Sequence, residues 1–362
     1  GGDEVAGVKK VLGMNPEESF VVPTDVIEHT RGLRDRSSEH RAEWNQRFEA
    51  WQGANPEAAA LLARLQAQEL PDLESVLPSF EGVSSLSTRQ ASGDVVNALA
   101  SVLPEMWGGS ADLAESNLTT IKGALSFAPK HHSTSDWKAS PEGRVLHFGI
   151  REHAMGAILN GIALHGPTRP FAGTFLIFSD YMRPAVRLAA LMGVPAIYVW
   201  THDSIGLGED GPTHQPVEQL ATLRAIPGLD IVRPADAHET AWAWKTMMER
   251  HSNPAGIALT RQGVPVLERG EGEASSETLA HARHTAQGAY VLQEGSGDAP
   301  EVIVMTTGSE VALALEARTG LEAAGISTRV VSVPCLEWFE EQSEAYRESV
   351  LPAAIRARVS VE

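Results

Sequence analysis

The chain has 362 residues, 43% hydrophobic and 21% charged, the balance of a globular protein long enough for two or three domains with substantial cores. Its formal net charge of -18 argues against nucleic acid or an anionic membrane surface as partner, and a phosphorylated ligand must be held by local arginines against that field. The single cysteine, Cys335, precludes an intramolecular disulfide and a CxxC metal pattern, so a reducing cytoplasm is expected. No apolar run reaches the roughly 18 residues of a membrane span, and no basic segment followed by an apolar one marks a signal peptide. Gly1-Gly2-Asp3-Glu4 lacks an initiator Met, and Arg358 to Glu362 reads as the middle of a strand, so both ends are expected to be cuts in a longer chain.

From residue 1 to 85 the pattern is polar and helical, with Pro and Gly interruptions. Pro23-Thr24-Asp25 predicts a helix start with Thr24 or Asp25 as its cap, and 36–51 and 56–69 predict two further helices, the last with an apolar face of Leu61, Leu62, Leu65 and Leu70. This stretch reads as a helical connector. Between Thr88 and Arg261 the patterns alternate: helices over 93–103, 153–164, 181–192, 216–224 and 237–250, strands over 145–148, 196–200, 230–232 and 256–259. Alternation of that kind predicts an α/β fold whose parallel sheet is covered on both faces. Residues 266–284 turn polar and acidic, as a linker would, and a second, incomplete α/β unit follows with strands at 301–306 and 328–333 around a helix at 310–324. The expected domains are 86–265 and 285–362, preceded by the connector.

The densest chemistry lies in Thr201-His202-Asp203-Ser204-Ile205-Gly206-Leu207-Gly208-Glu209-Asp210-Gly211-Pro212-Thr213-His214-Gln215-Pro216. Its glycines permit tight turns and its prolines stiffen the path. A loop entered from a strand at 196–200 lies beyond the carboxyl end of the sheet, where α/β proteins bind ligands. His202, Asp210 and His214 are then placed to exchange hydrogen bonds with a hydroxylated ligand, although any one histidine read alone is more often just solvated.

Six other stretches carry candidates. Gly149-Ile150-Arg151-Glu152-His153 opens an apolar helix, where an acid ordinarily only offsets the helix dipole. Phe175, Phe178 and Tyr181 recur at spacing three, which on its own describes a core stripe on one helical turn. Arg89, in Thr88-Arg89-Gln90-Ala91-Ser92, and Arg261, in Leu259-Thr260-Arg261-Gln262, offer planar guanidinium groups that suit phosphate or simply face water. Gly108-Gly109-Ser110-Ala111-Asp112-Leu113 and Ser116-Asn117-Leu118-Thr119 read as turns.

Taken together, these stretches resemble the transketolases, thiamine-diphosphate enzymes that move two-carbon ketol units between sugar phosphates. The resemblance implies that Glu152 hydrogen-bonds N1′ of the cofactor's aminopyrimidine, favouring the imino tautomer that removes the thiazolium C2 proton and creates the ylide. It implies that Phe178 stacks on the pyrimidine, that Phe175 and Tyr181 line the same wall, and that Asp112 lies near the cofactor. Arg89, Ser116 and Arg261 would hold the sugar phosphate, His202 and His214 would approach the reacting oxygens, and Asp210 would read a substrate hydroxyl. A homodimer is implied as well, with the cofactor between the diphosphate domain of one subunit and the pyrimidine domain of the other.

The resemblance covers nearly the whole chain but only part of a transketolase. The family binds Mg²⁺ (or Ca²⁺) and the cofactor's phosphates through Gly-Asp-Gly and a downstream Asn; that pairing is missing, Gly208-Glu209-Asp210-Gly211 belongs to the substrate loop, and no metal ligand is expected in this chain. The expectation is a transketolase of the pentose phosphate pathway, inactive as this piece alone. Other readings are 1-deoxyxylulose-5-phosphate synthase, from which residues 201–204 and 110–117 differ, a dihydroxyacetone synthase-like enzyme, and a non-catalytic dimerisation module.

Overall fold

The computed structural model describes residues 1–297 and 299–362 and divides into two units, Gly1–Arg64 and Leu65–Glu362. The first holds α1 (Gly2–Val11), α2 (Thr24–Ala54) and most of α3 (Pro56–Ala67). α2 runs 31 residues unbroken, so the helices expected to start near residue 24 and to cover 36–51 are one. A lone Gly32 in a solvated helix costs only about 1 kcal/mol and no Pro intervenes. Neither Thr24 nor Asp25 caps it: Pro23 takes the N-cap position and no side chain closes the turn. No residue of α1 or α2 is buried. α2 instead carries a ladder of neighbours three and four apart, Arg41 over Trp44 at 4.7 Å, Trp44 stacked on Phe48 at 4.8 Å and Phe48 on Trp51 at 5.7 Å, contacts that stabilise a helix lacking a core of its own.

The second unit opens with β1 (Ser85–Leu86), followed by β2 (Met106–Ser110), β3 (Ser126–Phe127), β4 (Ala139–Ser140), β5 (Val145–His147), β6 (Arg169–Phe175), β7 (Ile197–Thr201), β8 (Asp230–Val232), β9 (Ala255–Leu259) and β10 (Val264–Pro265). β1 and β10 form a short antiparallel pair. The other eight strands make one sheet in the order β4-β3-β5-β2-β6-β7-β9-β8, every pair parallel. Alternation along β7 shows the two-sided burial such a sheet demands. Ile197 and Val199 meet Val95 and Leu99 of α4 (Thr88–Val102) and Trp244 of α9 (Ala237–Glu249), while Tyr198 and Trp200 meet Met155 and Leu159 of α6 (Glu152–His165) and Met182 of α7 (Ser179–Met192).

β2 and β6 have no counterpart in the sequence pattern, because both trade side chains for close approach. A Cβ on Gly109 would lie 1.7 Å from the Leu146 carbonyl oxygen of β5, and one on Gly108 would lie 2.2 Å from the Phe171 ring of β6. The first obstacle is backbone and cannot swing aside. Gly109→Ala is therefore expected to destabilise the protein by about 3 kcal/mol or more, read as a lowered urea midpoint in circular dichroism; an unchanged midpoint would mean that β2 and β5 are farther apart than described.

A second sheet, β11-β13-β12-β14, is formed by β11 (Tyr290–Gln293), β12 (Val302–Thr306), β13 (Thr328–Ser332) and β14 (Ala357–Val361), with α10 (Glu310–Ala323), α11 (Leu336–Glu340) and α12 (Glu344–Val350) around it. β11 is antiparallel to β13 and the rest is parallel. The polar stretch at 266–284 is anchored by a buried side chain: Arg269 donates to Asp236 Oδ1 at 3.2 Å and to the Tyr290 hydroxyl at 2.6 Å. That hydroxyl donates in turn to Glu239 at 2.6 Å.

Candidate active site

Since the eight strands run one way, their carboxyl ends share one edge, and the loops leaving β2, β5, β6, β7 and β9 bring Asp112, Glu152, Phe178, His202 and Arg261 to it. Two hydroxyls register the arginines. Thr88 N–H donates to Thr260 Oγ1 at 2.9 Å and Thr260 N–H donates to Thr88 Oγ1 at 2.8 Å, a reciprocal clasp across 172 residues. The next residue on each side is an arginine, so Arg89 and Arg261 become neighbours. Arg89 donates to the Ser116 backbone carbonyl at 2.7 Å; thus Ser116 meets it through main chain and not through its hydroxyl. Burial first, and the charge of Arg261 second, hold the Arg89 pKa below its ordinary value. Two cations pressed together and partly dried attract an anion. In this structure Arg261 is paired with Glu209, an exposed carboxylate on the 201–216 loop.

Phe175, Phe178 and Tyr181 do not share a helical turn. Phe175 ends β6, residues Leu176–Phe178 form a single 3₁₀ turn, and α7 begins at Ser179. The rings make a step: Phe175 and Phe178 lie parallel with centroids 5.8 Å apart, and Tyr181, 66% exposed, leans against Phe178 at 5.9 Å. His202 stacks on Phe175 at 3.7 Å, and His214 sets its edge to Phe175 at 5.9 Å and to Phe178 at 5.4 Å. Burial, with help from Arg89 against the opposing pull of Asp210, pushes the His202 pKa down to about 4, so its ring is neutral at physiological pH. Asp210 itself is exposed near the tip of the loop.

Glu152 stands apart from this step. It is the first residue of α6, 8% exposed, and enters from β5, two strands or roughly 10 Å along the sheet from β6. Among the described residues none donates a hydrogen bond to its carboxylate. Against the paired strands β2 and β5 and the segments that follow them lies a cleft of about 310 Å³ lined by Ser110, Asp112, Ser116, His147 and Gly149. Asp112, one of its lining residues, has a φ of 65°. No group of three His, Cys, Asp or Glu side chains converges on a metal-sized point among the described residues.

Sequence reasoning passed over two sets of residues that the fold joins to the site. One is Ser110, Asn117 and Thr201, hydrogen-bonded in series beneath His202, Asn117 lying in α5 (Ala114–Asn117). The other is Arg233, which follows β8. Its guanidinium donates to Asp203 at 2.8 Å and to Glu310 of α10 at 2.5 Å, with side-chain exposures of 2% for Arg233 and 1% for Asp203. The Arg233 carbonyl accepts from Thr307 Oγ1 and from Gly308 N–H. The residue beside His202 is thereby tied to the second sheet. Nothing in the local sequence sets these residues off: only Ser110 adjoins a glycine, and Asn117, Thr201 and Arg233 lie in stretches that read as turns or strand ends.

Comparison with known proteins matches three family models along the chain: transketolase, thiamine diphosphate binding domain, over residues 1–71; transketolase, pyrimidine binding domain, over 84–266; and transketolase-like TK C-terminal domain, over 288–362. A transketolase of Mycobacterium tuberculosis (strain ATCC 25618 / H37Rv) is 57% identical over 370 residues, covering 100% of this chain and 51% of the relative. A crystal structure of a Pichia stipitis transketolase in complex with sedoheptulose-7-phosphate superposes with a TM-score of 0.90 at 40% identity, covering 100% of this chain and 52% of that one. A chain described as a split gene transketolase, inactive beta4 tetramer, matches 69% of this chain and 72% of its own length at TM-score 0.51 and 27% identity. The chain spans about half the length of the curated relatives it matches. With a family model over residues 84–266 and flanking models on either side, the chain belongs to the transketolase family.

Proposed function

We propose that this chain supplies the pyrimidine side and the sugar-phosphate side of a transketolase active site, for transfer of a two-carbon ketol unit from a ketose phosphate to an aldose phosphate in the pentose phosphate pathway. One observation carries the reading: a doubly cationic pocket, Arg89 with Arg261, opens on the same sheet edge as a flat aromatic step and a neutral histidine. The arginines take the phosphate, with Glu209 exchanged for it on Arg261. Ser116 joins them through its carbonyl. His202 and His214 receive and return protons at the sugar's oxygens, and Asp210 reads a hydroxyl.

The parallel Phe175 and Phe178 rings fit the aminopyrimidine of thiamine diphosphate, with Tyr181 continuing the wall. Glu152, buried and free of hydrogen bonds from described residues, fits the ring nitrogen, and Asp112 lines the adjoining cleft. When bound, that cofactor supplies the carbon nucleophile that accepts the two-carbon unit. Its diphosphate and a Mg²⁺ or Ca²⁺ ion need oxygen ligands from outside this chain's described residues. Exposed Ile150, at 79%, and Tyr181 flank Glu152 and Phe178 and support a homodimer in which the partner covers the cofactor. No helix of the described residues is long and apolar enough to cross a membrane; the proposed cytoplasmic location rests on the single cysteine of the sequence, Cys335.

The test uses two samples. Full-length polypeptide containing these residues, given thiamine diphosphate and Mg²⁺, is expected to transfer ketol units from a ketose phosphate to a pentose phosphate in preference to formaldehyde. This chain alone is expected to show negligible turnover and only weak, metal-independent heat of cofactor binding in calorimetry. Tight Mg²⁺-dependent binding to the isolated chain, or formaldehyde as the better acceptor, overturns the assignment.

A further inference from the structure

Arg89 and Arg261 bring two guanidinium groups together, and among the described residues only one of them has an anionic partner. Arg89 gives an N–H to the Ser116 carbonyl at 2.7 Å, while its Nε is buried with no acceptor. Arg261 is paired with Glu209, the two side chains being 34% and 72% exposed. That carboxylate comes from the tip of the 201–216 loop, and the tip is free to turn. Glu209 and Asp210 stand between Gly208, at φ 85°, and Gly211, at φ 76°, left-handed conformations that glycine adopts without strain. A Cβ placed on Gly208 would meet nothing within 4 Å. Below the tip the loop is tied to itself: Gln215 Nε2 donates to the Ile205 carbonyl at 3.3 Å and to the Gly208 carbonyl at 3.4 Å, and Ser204 Oγ accepts from Gly206 N–H at 3.2 Å. Glu209 can therefore swing off Arg261 while the base of the loop stays in place.

We propose that Glu209 is an internal counterion of the phosphate site: it occupies Arg261 when the site is empty, is displaced by the phosphate of an incoming ligand, and returns as that phosphate leaves. This rests on the assignment of Arg89 and Arg261 to phosphate made above, and adds to it a residue that competes for the same guanidinium. Charge decides the competition. One carboxylate neutralises one of the two arginines, whereas a phosphate close to doubly charged answers both and offers an oxygen to the orphaned Nε of Arg89. A backbone hydrogen bond first, and Arg261 second, hold the Glu209 carboxyl below its ordinary pKa, so the counterion is ionised at neutral pH. An ion pair this exposed is closed only a few times more often than it is open. The contact thus does not block the site. It weakens phosphate binding by the fraction of time that Arg261 is free, and a ligand with no anionic group has nothing to exchange for it.

The probe is inorganic phosphate, titrated by ³¹P line width against full-length polypeptide loaded with thiamine diphosphate and Mg²⁺. The titration is run at fixed ionic strength and about pH 8, where phosphate is mostly doubly charged. Arg261→Gln is expected to abolish the binding component that belongs to this site. Glu209→Gln is expected to tighten that component by about two- to sixfold, as follows from freeing Arg261 of an exposed ion pair. Asp210→Asn removes the same charge from the next residue, which does not pair with Arg261, and is expected to tighten it much less. Equal affinity in wild type and Glu209→Gln overturns the proposal. Equal tightening by Asp210→Asn and Glu209→Gln overturns it too, since the charge of the loop and not the contact would then set the affinity. Both results leave the two arginines as the phosphate site. Phosphate binding that survives Arg261→Gln unchanged, or that is missing from every protein, overturns the counterion together with that site, and the transferase assignment is then judged by turnover alone.

Discussion

Arg233→Met is expected to lower the unfolding free energy by about 3–5 kcal/mol, the cost of removing one partner from a buried ion pair. The mechanism is desolvation and not lost attraction. Asp203 is essentially without solvent contact, and burial already holds its pKa above the ordinary aspartate value even with Arg233 bonded to it. For Arg233 itself burial works against the charge, but Asp203 and Glu310 outweigh it and the pKa rises. Take the guanidinium away and Asp203 is an isolated buried anion, with Glu310 of α10 losing its partner as well. Two checks separate this from a packing defect. A raised folded-state pKa contributes stability below the unfolded value that is lost as pH rises through the folded one, so the deficit of the variant is expected to shrink as pH is lowered from about 7 toward about 4. Adding Asp203→Asn to Arg233→Met is expected to recover much of the loss, because a neutral amide is cheaper to bury than an unpaired carboxylate. Urea titrations of the three proteins across that pH range decide it. An Arg233→Met deficit that is flat with pH, and unrelieved by Asp203→Asn, would mean that the ion cluster does not join the two sheets in the way described.

How much of this could be read from the residues depends on which interactions specify each part. β8 and α9 follow from local pattern, since an apolar Ile231-Val232 run after Gly228 and an Asp236 cap before an apolar stripe are written in consecutive positions. β2 and β6 could not be read that way. Gly108 and Gly109 look like breakers in isolation and become strand residues because neighbouring strands come too close for a Cβ, and Gly173 because the Asn117 and Thr119 side chains pack against its Cα. The aromatic step misled in a related way: spacing three suggests one helical turn, whereas the chain changes from strand to 3₁₀ turn to helix between Phe175 and Ser179. In the site, the 201–216 loop announced itself by composition. The adjacency of Arg89 and Arg261 did not, because it depends on the Thr88–Thr260 clasp between distant segments. Ser110, Asn117, Thr201 and Arg233 were invisible for a deeper reason. Whether a polar side chain is buried and satisfied is a property of the packed fold, and the same Ser or Asn reads alike in a solvated turn.

Glu152→Ala, made in the full-length polypeptide, is expected to reduce ketol transfer by about 10²–10⁴-fold, the range for removing a positioned proton-transfer group. The fold is expected to tolerate it. At the first position of α6 a carboxylate gains about 0.3–1 kcal/mol from the helix dipole, and no described residue loses a hydrogen bond when it goes. The two roles this residue could have therefore predict opposite pairs of numbers. If Glu152 only complements the helix terminus, Glu152→Ala costs that fraction of a kcal/mol and turnover stays near wild type. If its carboxyl engages the cofactor's ring nitrogen, turnover collapses while the thermal midpoint scarcely moves. Glu152→Gln sharpens the distinction: it keeps the size of the side chain but offers the nitrogen an amide that cannot give up a proton as a carboxylic acid does, so it is expected to fail nearly as badly as Ala. A Gln variant running at wild-type speed would remove the carboxyl from the chemistry, and with it the role assigned to the buried acid that opens α6.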